Sequence, residues 1–132
     1  VVALKAWYDD EVDGHTVVST PAELDRVLDV AVGWGWPAIV ELFVAGKRVP
    51  ETFGVGVHGE AGVGMLYYGG DGGWHSLGDE TKTGTVLYYY MNADTETPLS
   101  SEIPLDVVRR AAHEFMSSGG ERPASIAWQP SP

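Results

Sequence analysis

The segment FGVGVHGEAGVGMLYY, Phe53 to Tyr68, constrains the fold more than any other stretch. Phe53, Val55 and Val57 alternate with Gly54, Gly56 and His58; GEAG follows, and Val63 to Tyr68 returns. A period of two places alternate residues on opposite faces of a strand, so this reads as a β-hairpin. Glycines inside strands weaken pairing and mark bulges or a close approach of backbone. A chain that contains this hairpin is committed to a sheet. Its other segments must supply strand partners and cover.

They do so in a legible order. Val2 to Tyr8 and His15 to Ser19 read as paired strands around an acidic turn, Asp9, Asp10, Glu11, Asp13 and Gly14. PAIVELFVAGKRV reads as a strand with Ala38, Val40, Leu42 and Val44 on one face and Ile39, Glu41 and Phe43 on the other; Gly46 opens the next turn. Trp74 to Leu77 is a short strand, TGTVLYYYM (Thr83 to Met91) a strong one, and RPASIAWQP closes the chain with another. Tyrosines on both sides of Thr83 to Met91 imply that both of its faces are at least half covered.

Two segments carry helical spacing. In STPAELDRVLDVAVGWG, Thr20 is the N-cap, Pro21 the first helical residue and Glu23 the third, a capping box. Leu24, Val27, Leu28, Ala31 and Val32 form its apolar stripe, and Gly33 is the expected stop. In IPLDVVRRAAHEFMSSGG, Pro104 begins the helix, Gly119 and Gly120 end it, and Leu105, Val108, Ala112, Phe115 and Met116 make its buried face. Runs of consecutive strands with two helices predict an α+β fold: a mostly antiparallel sheet of about six to eight strands with both helices packed on it. The 132 residues are expected to form a single domain over 1–132.

Charge and composition bound the function. Nineteen acids against eight bases give a net charge of −11. Such a surface repels phosphate backbones, which argues against direct nucleic-acid binding and for a basic partner. There is no cysteine, which excludes thiolate metal sites and a cysteine nucleophile. No apolar run approaches the length of a membrane helix, and the first residues do not read as a signal peptide. The expectation is a cytoplasmic protein without a membrane association.

YYGGDGGWHSLGD, Tyr67 to Asp79, is the stretch most suggestive of chemistry. As a phosphate loop it lacks a Gly-Lys-Ser/Thr ending and a following helix. As a hydrolase site it fails because adjacent His75 and Ser76 point to opposite faces of a strand, and no Gly-x-Ser-x-Gly elbow occurs. No metal-ligand spacing is present, although His58 and His75 could approach across strands. The reading is no enzyme, no cofactor and no metal, with the stretch serving as strand, turn and strand. What remains is acids at strand ends beside aromatic residues. Asp71, Trp74, His75, Asp79, Glu80, Asp94 and Glu96 are the candidate partner-binding residues, placed on two connections either side of Thr83 to Met91.

The pieces GMLYYGGDGGWHSLGD, GTVLYYYM and SEIPLDVVRRAAHEFMSSGGERPASIAWQ together resemble the immunity proteins of bacterial polymorphic toxin systems. The similarity is greatest to the first of the families into which they are grouped, and it spans Pro21 to Gln129. Its most specific pieces are Tyr67-Tyr68, Gly73-Trp74 with Ser76-Leu77-Gly78, and Ser101-Glu102-Ile103-Pro104. The resemblance implies a protein that binds and blocks a secreted toxin, often of the cytidine-deaminase type, in a one-to-one complex. It carries no set of active residues. The competing readings are a domain that binds a small ligand or peptide and, behind it, a small hydrolase.

Overall fold

In the computed structural model, which describes residues 2–9, 14–91 and 93–132, the capping box of the first helix forms. Helix α1 spans Pro21–Gly33. The Glu23 N–H donates to Thr20 Oγ1 at 3.2 Å, and the Glu23 carboxylate accepts from the Ser19 N–H at 3.0 Å. The return bond thus goes one residue earlier than the cap itself. The left-handed residue that reverses the chain is Gly35 (φ 85°), two positions beyond the expected Gly33. Helix α2 spans Leu105–Ser117 and ends, as expected, at left-handed Gly119 and Gly120 (φ 78° and 100°).

Among the described residues ten strands form around the Phe53–Tyr68 hairpin. They are β1 (Leu4–Trp7), β2 (Thr16–Val18), β3 (Pro37–Val44), β4 (Phe53–His58), β5 (Val63–Tyr68), β6 (Trp74–Ser76), β7 (Thr85–Tyr90), β8 (Ala93–Pro98), β9 (Ile103–Pro104) and β10 (Trp128–Pro130). The main path is β10-β6-β5-β4-β3-β1-β2, antiparallel throughout. Strand β9 pairs with β5, and β7 pairs with β8 as a hairpin. The fold is α+β, as expected, with two more strands than the upper expectation. The additions are β8 and β9. ADTETP has no apolar alternation, so β8 looks like a connection until β7 supplies its partner. Of the acidic turn after β1, Asp10, Glu11 and Asp13 lie outside the described residues.

The sheet's two faces are covered by different elements. One carries Leu42, Phe53, Val55 and Leu66, and the helices lie on it through Leu24, Leu28, Val108, Ala112 and Phe115. The Phe115 ring stacks on Phe53 with centroids 4.3 Å apart. Val32 and Leu105 sit at the rim, only partly buried. Arg109 joins the helices by gripping Asp25 at 3.0 Å and Asp29 at 2.7 Å. The other face is covered in part by β7, which makes one parallel bridge to β3, Ala38 to Tyr89. Tyr88, fully buried, packs there on Ile39 and Met65. Strand β7 thus belongs to the sheet but meets the face away from the helices. A Cβ at Gly56 would stand 2.9 Å from Met65 Cγ and 3.0 Å from Tyr88 Cδ2, so the glycine makes room for that crossing.

The motif pieces SLG and SEIP dock on each other. The buried Ser76 hydroxyl accepts from the Leu66 N–H at 3.0 Å and donates to the Ser101 carbonyl at 2.6 Å. The Gly78 N–H donates to the Ser100 carbonyl at 2.7 Å, and a Cβ at Gly78 would meet the Glu102 carbonyl. Ser76→Ala leaves a buried donor and a buried acceptor unpaired. It is expected to cost about 2–3 kcal/mol, read as a lower urea midpoint at unchanged slope.

Candidate functional site

The glycine-rich stretch is a turn. The Gly73 N–H donates to the Gly70 carbonyl at 3.1 Å, and Asp71, Gly72 and Gly73 all have positive φ (52°, 90° and 89°). Glycine reaches that region without the Cβ clash, and aspartate tolerates it better than most residues. The turn hands Trp74 and His75 to opposite faces. Trp74 packs against the helix-side core, donates its Nε1–H to the Asp71 carbonyl at 3.1 Å, and lies 4.3 Å beneath the Arg122 guanidinium. His75 pairs with Tyr67 at a ring distance of 5.1 Å, and its Nδ1 is 2.9 Å from the Ser131 hydroxyl. Burial pushes the His75 pKa down. Ser76, spent on two internal bonds, is not placed to act as a nucleophile.

The other candidates separate as well. Asp79 accepts from the N–H and hydroxyl of Thr81 at 3.0 and 2.6 Å, which hold its pKa low; Glu80 is exposed beside it. Asp94 and Glu96 lie within β8 rather than on a connection, opposite Tyr89 and Leu87. Paired residues share a face in an antiparallel ladder. The outer face of the β7–β8 hairpin therefore alternates apolar and acidic side chains, with Leu87 40% and Tyr89 38% exposed. His58 and His75 do not meet. They pair with Val63 and Tyr67 of β5, four residues apart or about 13 Å along the strand. Among the described residues no group of three His, Asp or Glu could hold a metal ion.

Sequence reasoning missed the largest exposed aromatics. Trp34 and Trp36 flank Gly35 where α1 turns into β3, and they are 36% and 44% exposed. Backbone bonds fix that turn: the Gly35 N–H donates to the Val32 carbonyl at 3.1 Å, and the Glu60 N–H donates to the Gly35 carbonyl at 3.0 Å. The rings meet edge to face at 5.4 Å; Trp36 continues to Tyr89 at 6.5 Å and Trp34 to Tyr8 at 6.0 Å. They line a depression of about 270 Å³ with Asp9 and Met91. The available signal was WGW directly after a helix stop, where a helix face no longer exists to bury either ring.

A second cleft of about 270 Å³ lies on the sheet face that β7 crosses, lined by Glu41, Gly54, Tyr67, His75 and Tyr90 among others. Burial alone pushes the Glu41 carboxyl above its usual range. The folded chain then keeps a proton that the unfolded chain releases. Stability therefore rises as pH falls through the raised pKa, and the gain is complete below the ordinary glutamate value. Glu41→Gln is expected to raise the thermal midpoint at neutral pH and to remove that rise, which melts taken downward through the carboxylate range will check. Asp25, held low by His113 and Arg109, acts in the opposite sense and only at more acidic pH.

The sheet scaffold spends its buried Ser76 and Ser101 hydroxyls on internal bonds, and its exposed face sets acids beside tyrosine and tryptophan. The family model for Immunity protein Imm1 matches residues 13–130, and the chain belongs to that family. It is an immunity protein of a toxin system, a family of inhibitors that bind a cognate toxin rather than enzymes. A comparison with curated proteins gave no match. Among the described residues no helix is long and apolar enough to cross a membrane.

Proposed function

We propose that the chain neutralises a nucleic-acid-modifying toxin, such as a cytidine deaminase, by covering the toxin's basic active-site cleft inside the producing cell. The observation that carries this reading is the continuous exposed row Leu87, Tyr89, Trp36 and Trp34, with Asp94 and Glu96 opposite its first two members. Aromatic side chains dominate binding hot spots. Acids around them complement the positive charge that a nucleic-acid enzyme needs. Asp71, Asp79 and Glu80 add to the attracting field; Trp74 and His75 stand on separate faces of β6 and are secondary contacts.

The test is a titration of the purified protein with the toxin domain encoded in the neighbouring gene, read by calorimetry and by inhibition of that toxin. A one-to-one complex that blocks turnover is expected; turnover that continues in the saturated complex would sink the active-site part of the reading. Asp94→Lys with Glu96→Lys is expected to slow association by roughly tenfold at low ionic strength, with the difference shrinking in salt. Stopped-flow association rates at several salt concentrations check this.

A further inference from the structure

The cleft on the second sheet face has a composition that the aromatic row does not explain. Glu41 stands on β3 opposite Gly54 of β4 and Trp7 of β1. Among the described residues its carboxylate makes no hydrogen bond or ion pair. Lys5, on the adjacent strand, stands opposite Phe43 and makes no ion pair with Glu41. Gly54 leaves the floor open, Tyr67, His75 and Tyr90 wall the space, and Thr95 of β8 stands at its edge. The Glu41 charge reaches Tyr90, whose hydroxyl pKa is raised first by burial and then by that charge.

We infer that this cleft is a socket for one arginine side chain of the toxin, with Glu41 as counter-charge and Tyr67 and Tyr90 as walls. The inference rests on the reading that the partner is a basic toxin. A half-buried, unpaired carboxylate attracts a cation more strongly than a surface one, because less water screens it. It also repays part of its own desolvation when the pair forms. Arginine fits better than lysine because its planar guanidinium stacks on aromatic faces while its fork meets a carboxylate at two points. The occupant comes from the toxin because β8 borders both places. Thr95 and Glu96 edge the cleft, and Asp94 and Glu96 stand opposite the exposed Tyr89 and Leu87.

The experiment has two arms. In the first, Nα-acetylarginine methylamide and its lysine and citrulline counterparts are titrated into the protein, with the ring resonances of Tyr67, His75 and Tyr90 followed by NMR. The arginine compound is expected to shift all three at millimolar concentration, lysine less, and neutral citrulline not at all. Glu41→Gln is expected to fold and to lose the response. In the second arm the neighbouring-gene toxin is bound to wild type and to Glu41→Gln, with dissociation expected to quicken about tenfold or more in the variant. Gly54→Ala is a control for space: its Cβ would meet Tyr67 Cβ at 3.5 Å and Ile39 Cγ2 at 3.8 Å, ordinary contacts, so it should fold with a narrowed socket. Equal shifts from citrulline, or an undiminished arginine response in Glu41→Gln, overturn the socket. Unchanged toxin dissociation in Glu41→Gln overturns it too and leaves the toxin reading standing. A wild-type protein that does not bind the toxin at all ends that reading, and the socket as a toxin contact with it.

Discussion

Phe115→Ala is expected to remove about 3–5 kcal/mol of folding stability, the largest loss from any single truncation considered for this chain. Phe115 is fully buried and stacks on Phe53 at 4.3 Å with the planes 7° apart. It joins α2 to β4, so its removal opens a gap between the two layers. The neighbours are poorly placed to refill it. The Tyr68 hydroxyl is tied to the Gly120 carbonyl at 3.2 Å, and a Cβ at Gly120 would already press on Val44. Domains of this size hold only about 5–15 kcal/mol in total, so a large share of the folded population's margin goes. Urea unfolding of the isolated protein measures it, and Phe115→Leu should recover most of the loss. A cost under about 1 kcal/mol would mean that the layers close over the gap and that the ring stack is not central.

Trp36→Ala is expected to weaken the toxin complex by about 2 kcal/mol or more, roughly thirtyfold, mainly through faster dissociation. Trp36 is 44% exposed and stands on a turn held by backbone bonds, so little is lost in the free protein and little ordering is needed on binding. Trp74 is the informative contrast. It is partly buried against the core and capped by Arg122, so Trp74→Ala should lower the urea midpoint and change affinity less. Surface plasmon resonance with the neighbouring-gene toxin, alongside unfolding of each variant, separates the two effects. An unaltered complex lifetime for Trp36→Ala would move the contact away from the WGW turn.

Patterns that depend on near neighbours were legible. The capping box at Thr20 and Glu23, the alternation in β4 and the double glycine after α2 each express a rule that acts within a few residues. The opposite facing of His75 and Ser76 followed from strand geometry in the same way. Strand β8 was not legible. Its sequence, ADTETP, has weak intrinsic preference and becomes a strand only because β7 offers a ladder. Asp94 and Glu96 thereby moved from a connection to an exposed strand face beside Leu87 and Tyr89.

Sequence alone determined the α+β class, the two helices with their apolar stripes, the acidity and the family resemblance, because local periodicity, side-chain charge and motif spacing are all written along one dimension. Only the tertiary structure decided which sheet face each element covers. Alternation says that Ile39 and Glu41 share a face opposite Val40 and Leu42, but it does not say what lies above them. The crossing of β7 settled that. It buried Ile39 beneath Tyr88 and left Glu41 in an open cleft. The same holds for Trp34, Trp36 and Trp74. Tryptophan is apolar enough to be buried and amphipathic enough to be left at a surface, so its place depends on contacts between residues far apart in the chain.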